Sequence, residues 1–426
     1  MDDRIRARYL IETAFGLEQA AGSMAGEQST GTFVAVPGET PLLRQRNGAV
    51  VEAVRELGEC AGPSLPGARV PRGEPPVWRR AEVTLSWPLR NCGPSLPNLM
   101  TMVAGNLFEL GQFSGLRLLD IELPPAFAAA GPGPAFGIDG TRASTGVYGR
   151  PLIGTIIKPS IGLSAGETAA HVRALCDGGI DFIKDDELQS DGVDCPFEDR
   201  VSAVMRVIRD HAQRVGRQVM YAFNVTGDLD QMRRRHDFVL AQGGTCIMVS
   251  LLSVGLAGLL ALRRDAQLVI HGHRNGWGAL TRCPILGFDN VAWQKFWRLA
   301  GVDHLHVNGL RNKFCESDES VIASARACLQ PMFAPPAPDC RIMPVFSSGQ
   351  WAGQVHDTHA ALGSQDLIHA CGGGIAAHPG GIAAGVQSLH EAWAAAREGE
   401  PLVVRAQRSP ALAQALTAFG ATEARH

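Results

Sequence analysis

From residue 151 onward the chain repeats one pattern eight times: a short apolar run, a few polar residues and a stretch with helical spacing. The apolar runs are residues 152–157, 180–184, 219–223, 246–251, 268–271, 304–307, 342–346 and 367–371. Apolar runs without strict alternation are typical of parallel strands that are buried on both faces. Eight such units are typical of a (β/α)8 barrel. The repeat therefore predicts a TIM barrel over residues 146–426.

The first 125 residues follow a different pattern. Residues 6–13, 81–87 and 116–123 are predicted strands, and residues 98–109 have helical spacing. Residues 38–75 contain a stretch with helical spacing at 50–57 and a Gly/Pro-rich segment. The whole of 38–75 is either an ordered lid or a poorly ordered insertion. We predict a smaller α+β, ferredoxin-like domain over residues 1–125. Residues 126–145 are rich in Pro, Gly and Ala and are predicted to form a linker.

Charge and composition argue against two classes of partner. The net charge of −3 gives no strong attraction for nucleic acid or an anionic membrane. No apolar run approaches the roughly 20 residues of a membrane span, and the acidic amino terminus lacks the pattern of a signal peptide. The ten cysteines are scattered without a C-x-x-C pair, which indicates reduced, apolar residues. We expect a cytoplasmic protein that binds neither nucleic acid nor membrane.

Polar residues gather where six of the predicted barrel strands end. Because barrel enzymes carry their active sites at the carboxyl ends of the strands, this placement predicts an active site there. In chain order the groups are Lys158; Lys184, Asp185, Asp186 and Glu187; His271, His273 and Arg274; His304 and His306; Ser347, Ser348 and Gly349; and Gly372, Gly373 and Gly374.

The group after the second strand has the composition of a magnesium site. Lys184 and Asp186 lie two residues apart and so point to the same side of the strand, with Glu187 at the turn. Carboxylate oxygens are ligands that Mg²⁺ prefers. An ammonium group cannot bind a cation, but a carbamate formed from Lys184 and CO₂ would supply a third anionic oxygen. The alternative is an ordinary ion pair at the end of a strand.

The remaining groups are suited to an anionic ligand. Glycines allow close approach of backbone N–H groups to a phosphate, and the loops after strands 7 and 8 hold phosphate in many barrels. A flexible turn is the alternative for the glycines. Arg274 offers a bidentate fork, and His273 and His306 are suited to proton transfer. The alternative for the histidines is a structural role in the core.

Several segments together resemble the RuBisCO large-chain superfamily. They are GTIIKP at 154–159, FIKDDE at 182–187, HR at 273–274, HLH at 304–306, PVFS at 344–347, GGG at 372–374 with HP at 378–379, EQSTGT at 27–32 and GN at 105–106. They occur in the order of that family and at similar spacings. The resemblance covers nearly the whole chain.

The resemblance implies a role for each matching residue. The catalytic residues are Lys158, Lys184, His273 and Lys313. The Mg²⁺ ligands are carbamylated Lys184, Asp186 and Glu187. One anion site is formed by Arg274, His306 and Ser347, and the other by Thr32, Lys313, Gly349, Gly372 and Gly373. Glu27 and Asn106 reach the active site of a neighbouring subunit, which implies at least a homodimer.

The chain also departs from the family's carboxylases. Ser160 stands where they have a lysine, and Leu188 stands where they have an asparagine after K-D-D-E. Trp277 lies where they have a further histidine. Phe33 and Ser348 also differ from the carboxylase pattern. These changes favour the RuBisCO-like branch, whose members do not fix carbon.

The resemblance implies chemistry through an enediolate. A retained Lys313 together with both anion sites favours a substrate with a carboxylate and a phosphate. Our leading hypothesis is decarboxylation or cleavage, of the transcarboxylase/hydrolase type, of a phosphorylated 3-oxo sugar acid such as 3-oxo-isoapionate 4-phosphate. The alternatives are a methionine-salvage enolase or isomerase acting on a methylthio-sugar phosphate, a ribulose-bisphosphate carboxylase, and a scaffold without catalytic activity.

Overall fold

The computed structural model describes residues 3–32, 34, 36–73 and 75–423. Phe33, one of the departures from the carboxylases, lies outside these residues, as do Met1 and Asp2. Over the described residues the chain folds into two compact units. The first comprises Met1–Gly133, Gly276–Ala300 and Phe333–Asp339, and the second Pro134–Asn275, Gly301–Met332 and Cys340–His426.

The strands are β1 (Arg4–Thr13), β2 (Val50–Cys60), β3 (Trp78–Pro88), β4 (Phe113–Glu122), β5 (Leu152–Ile156), β6 (Phe182–Lys184), β7 (Met220–Asn224), β8 (Cys246–Ser250), β9 (Val269–His273), β10 (Leu286–Phe288), β11 (His304–His306), β12 (Met343–Phe346) and β13 (Ile368–Ala370). The α-helices are α1 (Leu17–Glu27), α2 (Pro41–Asn47), α3 (Leu96–Val103), α4 (Ala126–Ala130), α5 (Gly137–Thr145), α6 (Ala165–Asp177), α7 (Phe197–Val215), α8 (Leu229–Ala241), α9 (Leu251–Asp265), α10 (Gly278–Thr281), α11 (Asn290–Ala300), α12 (Asp318–Leu329), α13 (Val355–Leu362), α14 (Gly373–Ala376), α15 (Ile382–Glu398), α16 (Leu402–Ala406) and α17 (Pro410–Glu423). Short 3₁₀ helices span Leu89–Asn91, Gly105–Glu109 and Ala352–Gln354.

The first unit contains a five-stranded sheet in the order β10-β4-β1-β3-β2. Its pairs are antiparallel except for β10, which runs parallel to β4. Alternate residues of β1 are buried, among them Ile5, Ala7, Tyr9 and Ile11. Because side chains of a strand alternate between its faces, this pattern gives the sheet one apolar face. The predicted α+β domain is confirmed.

The prediction of a helical stretch at 50–57 is wrong, because these residues belong to the edge strand β2. The strand pairs with β3, but its register shifts between Val51 and Ala53 and again between Glu56 and Gly58. Each bulge interrupts the alternation of side chains by one residue. The strand therefore has no period of two in its sequence, and most of its side chains are exposed.

The predicted helix at 98–109 is interrupted in the structure. Helix α3 ends at Val103, and a 3₁₀ helix follows from Gly105. The φ of Gly105 is +36°, and a Cβ at this position would lie 2.2 Å from Gln28 Nε2. The close approach of Gln28 requires a glycine here, and the positive φ ends the α-helix.

Two further features of the fold were not predicted. Strand β10 has only three residues, so no periodicity marks it. Residues 126–145, which we predicted as a linker, contain the short helices α4 and α5. A single boundary in the chain does not separate the two units, since Gly276–Ala300 belongs to the first unit although it follows β9.

The second unit is a closed barrel of eight parallel strands in the order β11-β12-β13-β5-β6-β7-β8-β9. The predicted strands match the observed ones to within two residues at each end, so the predicted TIM barrel is confirmed. Helices α6 and α8 begin with capping boxes, Ser164 with Glu167 and Asp228 with Gln231. These boxes satisfy backbone N–H groups that the first helical turn leaves free.

The barrel has a buried apolar core. Its core includes Leu152, Phe182, Met220, Ala222, Cys246, Met248, Val269, Met343, Val345, Ile368 and Ala370. All ten cysteines, each within the described residues, are free. Among the described residues, no helix combines the length and apolar character that crossing a membrane requires.

Candidate active site

The interior positions of the barrel strands lead to the predicted site residues. Residues two apart on a strand share a face, so the face that carries a core residue also carries the residues two and four positions later. Phe182 is in the core, and Lys184 and Asp186 follow it at this spacing. Val345 is likewise followed by Ser347. The period of the strands thus brings polar side chains to the carboxyl end of the barrel.

Two lysines and two carboxylates form a compact cluster there. Lys158 Nζ lies 2.6 Å from Asp186 Oδ2 and donates a hydrogen bond to Ser160 Oγ at 2.8 Å. Lys184 Nζ lies 3.5 Å from Glu187 Oε2, and His273 Nε2 lies 3.4 Å from the same oxygen. The structure therefore brings together the five residues that the resemblance assigns to the metal and to proton transfer.

Burial disfavours the charged form of Lys184. The side chain of Lys184 is 1% exposed. Loss of hydration lowers its pKa from the usual value, although the carboxylates of Glu187 and Asp186 oppose this shift. A lowered pKa increases the fraction of neutral amine, which is the nucleophilic form of a lysine.

The two carboxylates stay ionised in spite of partial burial. Burial favours the neutral form of Asp186, but the hydrogen bond from Lys158 and the backbone N–H of Leu188 outweigh it and lower its pKa. Burial acts in the same way on Glu187, but His273 in its protonated form and the ammonium of Lys184 lower its pKa. Both groups therefore offer anionic oxygens at neutral pH.

Asp185 points away from this cluster and holds the strand end in place. Its Oδ1 accepts a hydrogen bond of 2.6 Å from Tyr221 Oη, and its Oδ2 accepts one of 2.8 Å from the Asn224 N–H. Arg200 NH2 lies 3.2 Å from Oδ2. Tyr221 and Arg200 were not predicted as partners of Asp185, because both lie on other elements and carry no motif.

The donor set fits a hard divalent cation when Lys184 is included. Among the described residues, no three His, Cys, Asp or Glu side chains come together as a metal site. Asp186 and Glu187 supply two carboxylates, and oxygen ligands are those that Mg²⁺ binds. Lys184, 3.5 Å from Glu187, is the adjacent group that could supply a third anionic ligand as a carbamate.

The predicted first anion site contains an acidic residue that the sequence analysis missed. His306 Nδ1 and Ser347 Oγ are 2.9 Å apart. Arg274 NH2 lies 2.5 Å from Glu316 Oε2, and Asn308 Nδ2 donates to the same oxygen at 2.7 Å. Glu316 thus contacts the Arg274 guanidinium, which we had assigned to an anionic ligand. Its position three residues after Lys313 was the only signal in the sequence.

Two glycines of the second predicted anion site lie beside the lysines Lys313 and Lys158. A Cβ at Gly349 would be 3.6 Å from the Lys313 N, and Gly349 has a φ of +87°. A Cβ at Gly372 would be 3.9 Å from Lys158 Cε. At Gly373 a Cβ would meet nothing within 4 Å. Gly349 therefore lies next to Lys313, and Gly372 next to Lys158.

His273 joins the cluster to the anion site. Its ring centroid is 4.4 Å from that of His306. Burial and the positive charge of Lys184 lower the pKa of His273 to about 4, although Glu187 opposes the shift. His273 is therefore neutral at physiological pH and has a ring nitrogen that accepts a proton.

The other predicted residues belong to the first unit. Asn106 Nδ2 donates a hydrogen bond of 3.2 Å to Glu27 Oε1, so these two are neighbours. Thr32 Oγ1 bonds the backbone of Val34. Trp277 packs on Trp293 with ring centroids 4.7 Å apart. For Glu27, Asn106 and Thr32, a role at the active site stays a prediction.

Two family descriptions match this sequence. The catalytic domain of the ribulose bisphosphate carboxylase large chain matches residues 137–419, and the amino-terminal domain of the same protein matches residues 74–127. The first match alone covers more than half of the chain.

Curated relatives are similar over almost their whole length. A protein of Xanthobacter autotrophicus named 3-oxo-isoapionate-4-phosphate transcarboxylase/hydrolase is 59% identical over 98% of this chain and 99% of its own. A 3-oxo-isoapionate-4-phosphate decarboxylase of Rhizobium etli is 46% identical over 97% and 98%. The crystal structure of a rubisco-like protein from Burkholderia fungorum superposes with a TM-score of 0.91 at 49% identity, and covers 98% of this chain and 100% of that chain.

Proposed function

Since the chain belongs to the RuBisCO large-chain superfamily, in its RuBisCO-like branch, we propose that it cleaves a carbon–carbon bond of 3-oxo-isoapionate 4-phosphate. Relatives at 59% and 46% identity are named for this same substrate. We propose the transcarboxylase/hydrolase reaction rather than simple decarboxylation, because the relative of that name has the higher identity.

The observation that carries the proposal is the cluster at the carboxyl end of the barrel. It contains two lysines, two carboxylates and a neutral histidine, each within hydrogen-bond or ion-pair distance of at least one other member. The pair of His306 and Ser347 adjoins this cluster through His273. Such a site suits a substrate that carries a carbonyl to be polarised and an anionic group to be held.

Asp186, Glu187 and a carbamate on Lys184 would hold Mg²⁺. When bound, the ion would stabilise negative charge that develops on the oxygens of an enolised substrate. Lys184 reacts with CO₂ through its neutral amine, forming an N–C bond and releasing one proton. Burial favours this step because it lowers the pKa of Lys184.

Proton transfer falls to Lys158 and His273. Lys158 Nζ is held between Asp186 and Ser160, with the side chain 41% exposed, so the ammonium reaches the open end of the site. Neutral His273 accepts a proton at a ring nitrogen. Lys158 contacts Asp186 and His273 contacts Glu187, so the site offers the substrate a donor and an acceptor.

The substrate's anionic groups would be held by two sets of residues. We assign one group to Arg274, His306 and Ser347, where Glu316 must yield part of the Arg274 fork. We assign the other to Lys313 and the backbone N–H groups of Gly349, Gly372 and Gly373, with Thr32 as a further ligand. Because the substrate carries a carboxylate and a phosphate, both sets would be occupied at once.

We further propose that the enzyme is a cytoplasmic homodimer. Glu27 and Asn106, which are hydrogen-bonded to each other, would complete the active site of the neighbouring subunit. The RuBisCO of Hyperthermus butylicus, which is 28% identical, is described as dimeric, and that of Pyrococcus horikoshii as octameric. Light scattering of the purified protein tests the dimer, and a monomer with full activity would contradict it.

A labelled substrate distinguishes the two reactions. We would incubate the protein with Mg²⁺, unlabelled bicarbonate and 3-oxo-isoapionate 4-phosphate carrying ¹³C in its carboxylate, and follow the label by NMR. We expect the label in a new carboxylate product without release of labelled CO₂. Labelled CO₂ would instead identify a decarboxylase. No turnover, with solvent deuterium entering a methylthioribulose phosphate, would contradict the proposal and favour the salvage alternative.

The carbamate is tested by substitution of Lys184. With ¹³C-bicarbonate and Mg²⁺ we expect the wild-type protein to give a carbamate NMR signal that Lys184→Met lacks, together with loss of activity. Lys295→Met is the matched control, because Lys295 lies in the first unit and bonds Asp120 and Ile121. A carbamate signal of full intensity in Lys184→Met would contradict this assignment.

A further inference from the structure

A line of five polar side chains runs through the barrel to the anion site. Thr141 Oγ1 lies 2.8 Å from His304 Nε2, and His304 Nδ1 lies 3.4 Å from His271 Nδ1. His271 Nε2 lies 2.8 Å from His306 Nε2, and His306 Nδ1 lies 2.9 Å from Ser347 Oγ. All five residues are at least nine-tenths buried. Thr141 lies on α5, so the line joins the start of β11 to the substrate end.

The direction of the first hydrogen bond follows from Thr141. Its hydroxyl is 2.5 Å from the Gly137 carbonyl, which can only accept. The single hydroxyl proton is therefore donated to Gly137, and Thr141 Oγ1 can only accept from His304. His304 Nε2 must then carry a proton and act as the donor.

The remaining directions follow because each ring is neutral. Burial lowers the pKa of His304 to about 3 and lowers those of His271 and His306 well below the usual value. A neutral imidazole has one donor and one acceptor nitrogen. His304 Nδ1 therefore accepts from His271 Nδ1–H, and His271 Nε2 accepts from His306 Nε2–H.

The last member of the line is Ser347. Since His306 donates through Nε2, its Nδ1 is an acceptor, and the Ser347 hydroxyl must donate to it. Ser347 then has no proton for a ligand, and only lone pairs face an incoming anion. This proton arrangement, in which Thr141 donates to Gly137, is termed the resting arrangement.

The same atoms allow one other arrangement. In it, Thr141 turns its proton to His304 Nε2, and each histidine exchanges with water the N–H of one ring nitrogen for an N–H on the other. Every residue keeps one proton, while every donor and acceptor in the line is exchanged. His306 Nδ1–H then donates to Ser347 Oγ, and the Ser347 proton can turn to an anion or to Ser348 Oγ, which lies 3.4 Å away. This is termed the reversed arrangement. It costs one hydrogen bond to the Gly137 carbonyl and gains one to the bound ligand, so the two arrangements are close in free energy.

We propose that Thr141, His304 and His271 form a hydrogen-bond relay that sets the anion site, with binding of the substrate's anionic group at Ser347 reversing all three histidine tautomers. Thr141 is thereby a positioning residue that acts through three rings and touches no ligand. The inference rests on the proposed function only in taking Arg274, His306 and Ser347 as the place where an anionic group binds.

NMR spectroscopy determines which nitrogen of each histidine ring carries the proton. In ¹⁵N-histidine NMR spectra of the full chain, protonated and bare ring nitrogens have distinct shifts. Without ligand we expect protons on Nε2 of His304, Nδ1 of His271 and Nε2 of His306. On titration with inorganic phosphate we expect all three to exchange together. A different pattern in the free protein, or tautomers that phosphate does not change, would overturn the relay.

Substitution of Thr141 gives a result that a purely structural role does not. In Thr141→Val the resting arrangement leaves the His304 N–H without an acceptor, whereas the reversed one leaves only a lone pair. Orphaned buried N–H groups are the rarer and costlier case. We therefore expect reversed tautomers without ligand and phosphate binding that is tighter by roughly threefold to tenfold, because the competent form no longer has to be selected.

Two control variants accompany this measurement. Thr141→Ser keeps the hydroxyl and is expected to restore the wild-type tautomers and affinity. Thr145→Val removes a buried hydroxyl of the same helix that bonds only the carbonyls of Thr141 and Arg142, and should change neither. Weaker phosphate binding in Thr141→Val with unchanged tautomers would overturn the proposal. Should that variant fail to fold, the wild-type spectra alone decide.

The experiments can refute the relay and the proposed reaction independently of each other. Tautomers that reverse with phosphate, in a protein that turns over no sugar acid, support the relay and refute the substrate. Turnover of 3-oxo-isoapionate 4-phosphate with tautomers unchanged by phosphate refutes the relay and leaves the reaction in place.

Discussion

At the scale of the residue, Lys158 is the group on which proton transfer depends. Its Nζ is fixed by Asp186 at 2.6 Å and Ser160 at 2.8 Å. We expect Lys158→Met to lower kcat by roughly 10²- to 10⁴-fold, the usual contribution of a positioned acid or base. The free energy of unfolding should fall as well, because the Asp186 carboxylate, whose side chain is 3% exposed, loses the partner that offsets its burial. Steady-state kinetics and urea unfolding measure the two effects.

Ser160→Ala serves as the matched control for Lys158→Met. It removes one of the two partners of the Lys158 ammonium and leaves the ion pair with Asp186 in place. The loss of one hydrogen bond is worth about 1 kcal/mol, so kcat should fall by less than about tenfold. Equal kcat values in Lys158→Met and the wild-type protein would show that proton transfer uses another group.

At the scale of the element, Glu12 of β1 ties three parts of the first unit together. Its buried carboxylate accepts hydrogen bonds from Ser64, Arg80 and Ser114. Burial favours its neutral form, but these donors outweigh burial and lower its pKa. We expect Glu12→Gln to reduce the free energy of unfolding by about 2 kcal/mol at neutral pH, since bonds to a charged acceptor are lost. Glu52→Gln, at a partly exposed ion pair with Arg6, should have little effect.

The lowered pKa of Glu12 also determines how the stability difference between wild type and Glu12→Gln changes with pH. A carboxylate with a lowered pKa in the folded state stabilises the fold above its unfolded pKa, and this contribution is lost as the pH falls through the folded value. The stability gap between wild type and Glu12→Gln should therefore shrink in acid. Urea unfolding at neutral and acidic pH measures the gap, and a gap that widened in acid would refute the role of Glu12.

Elements also determine how much could be predicted from the sequence. The barrel strands were found because each is an isolated apolar run between Gly, Asn or charged residues. Alternation along β6 then placed Lys184 and Asp186 on the inner face and Asp185 outside. The edge strand β2 was missed because two bulges break its alternation, and Glu316 because its contact with Arg274 joins residues 42 positions apart. Local periodicity carries no information on either feature.

At the scale of the whole molecule, the barrel has an unusual distribution of titratable groups. Four histidines of its strands are fully or almost fully buried, and burial lowers the pKa of each: His271, His304, His306 and His369. In the unfolded chain they return to the ordinary value. The unfolded state therefore takes up several protons on acidification that the folded state does not.

This difference in proton uptake predicts that the free energy of unfolding falls in acid, with a slope to which each buried histidine adds a known amount. Burial lowers the pKa of His369 to about 3 in the folded protein, against an ordinary value of 6.5. Its contribution to stability is complete above the unfolded pKa and is lost as the pH falls through this window. One such group changes the free energy of unfolding by about 1.4 kcal/mol per pH unit. His369→Leu should reduce the slope by this amount, while its lost bond to Trp393 lowers stability equally at all pH values. Urea unfolding between about pH 6 and about pH 4 measures the slope, and an unchanged slope in His369→Leu would show that His369 is already protonated in the fold.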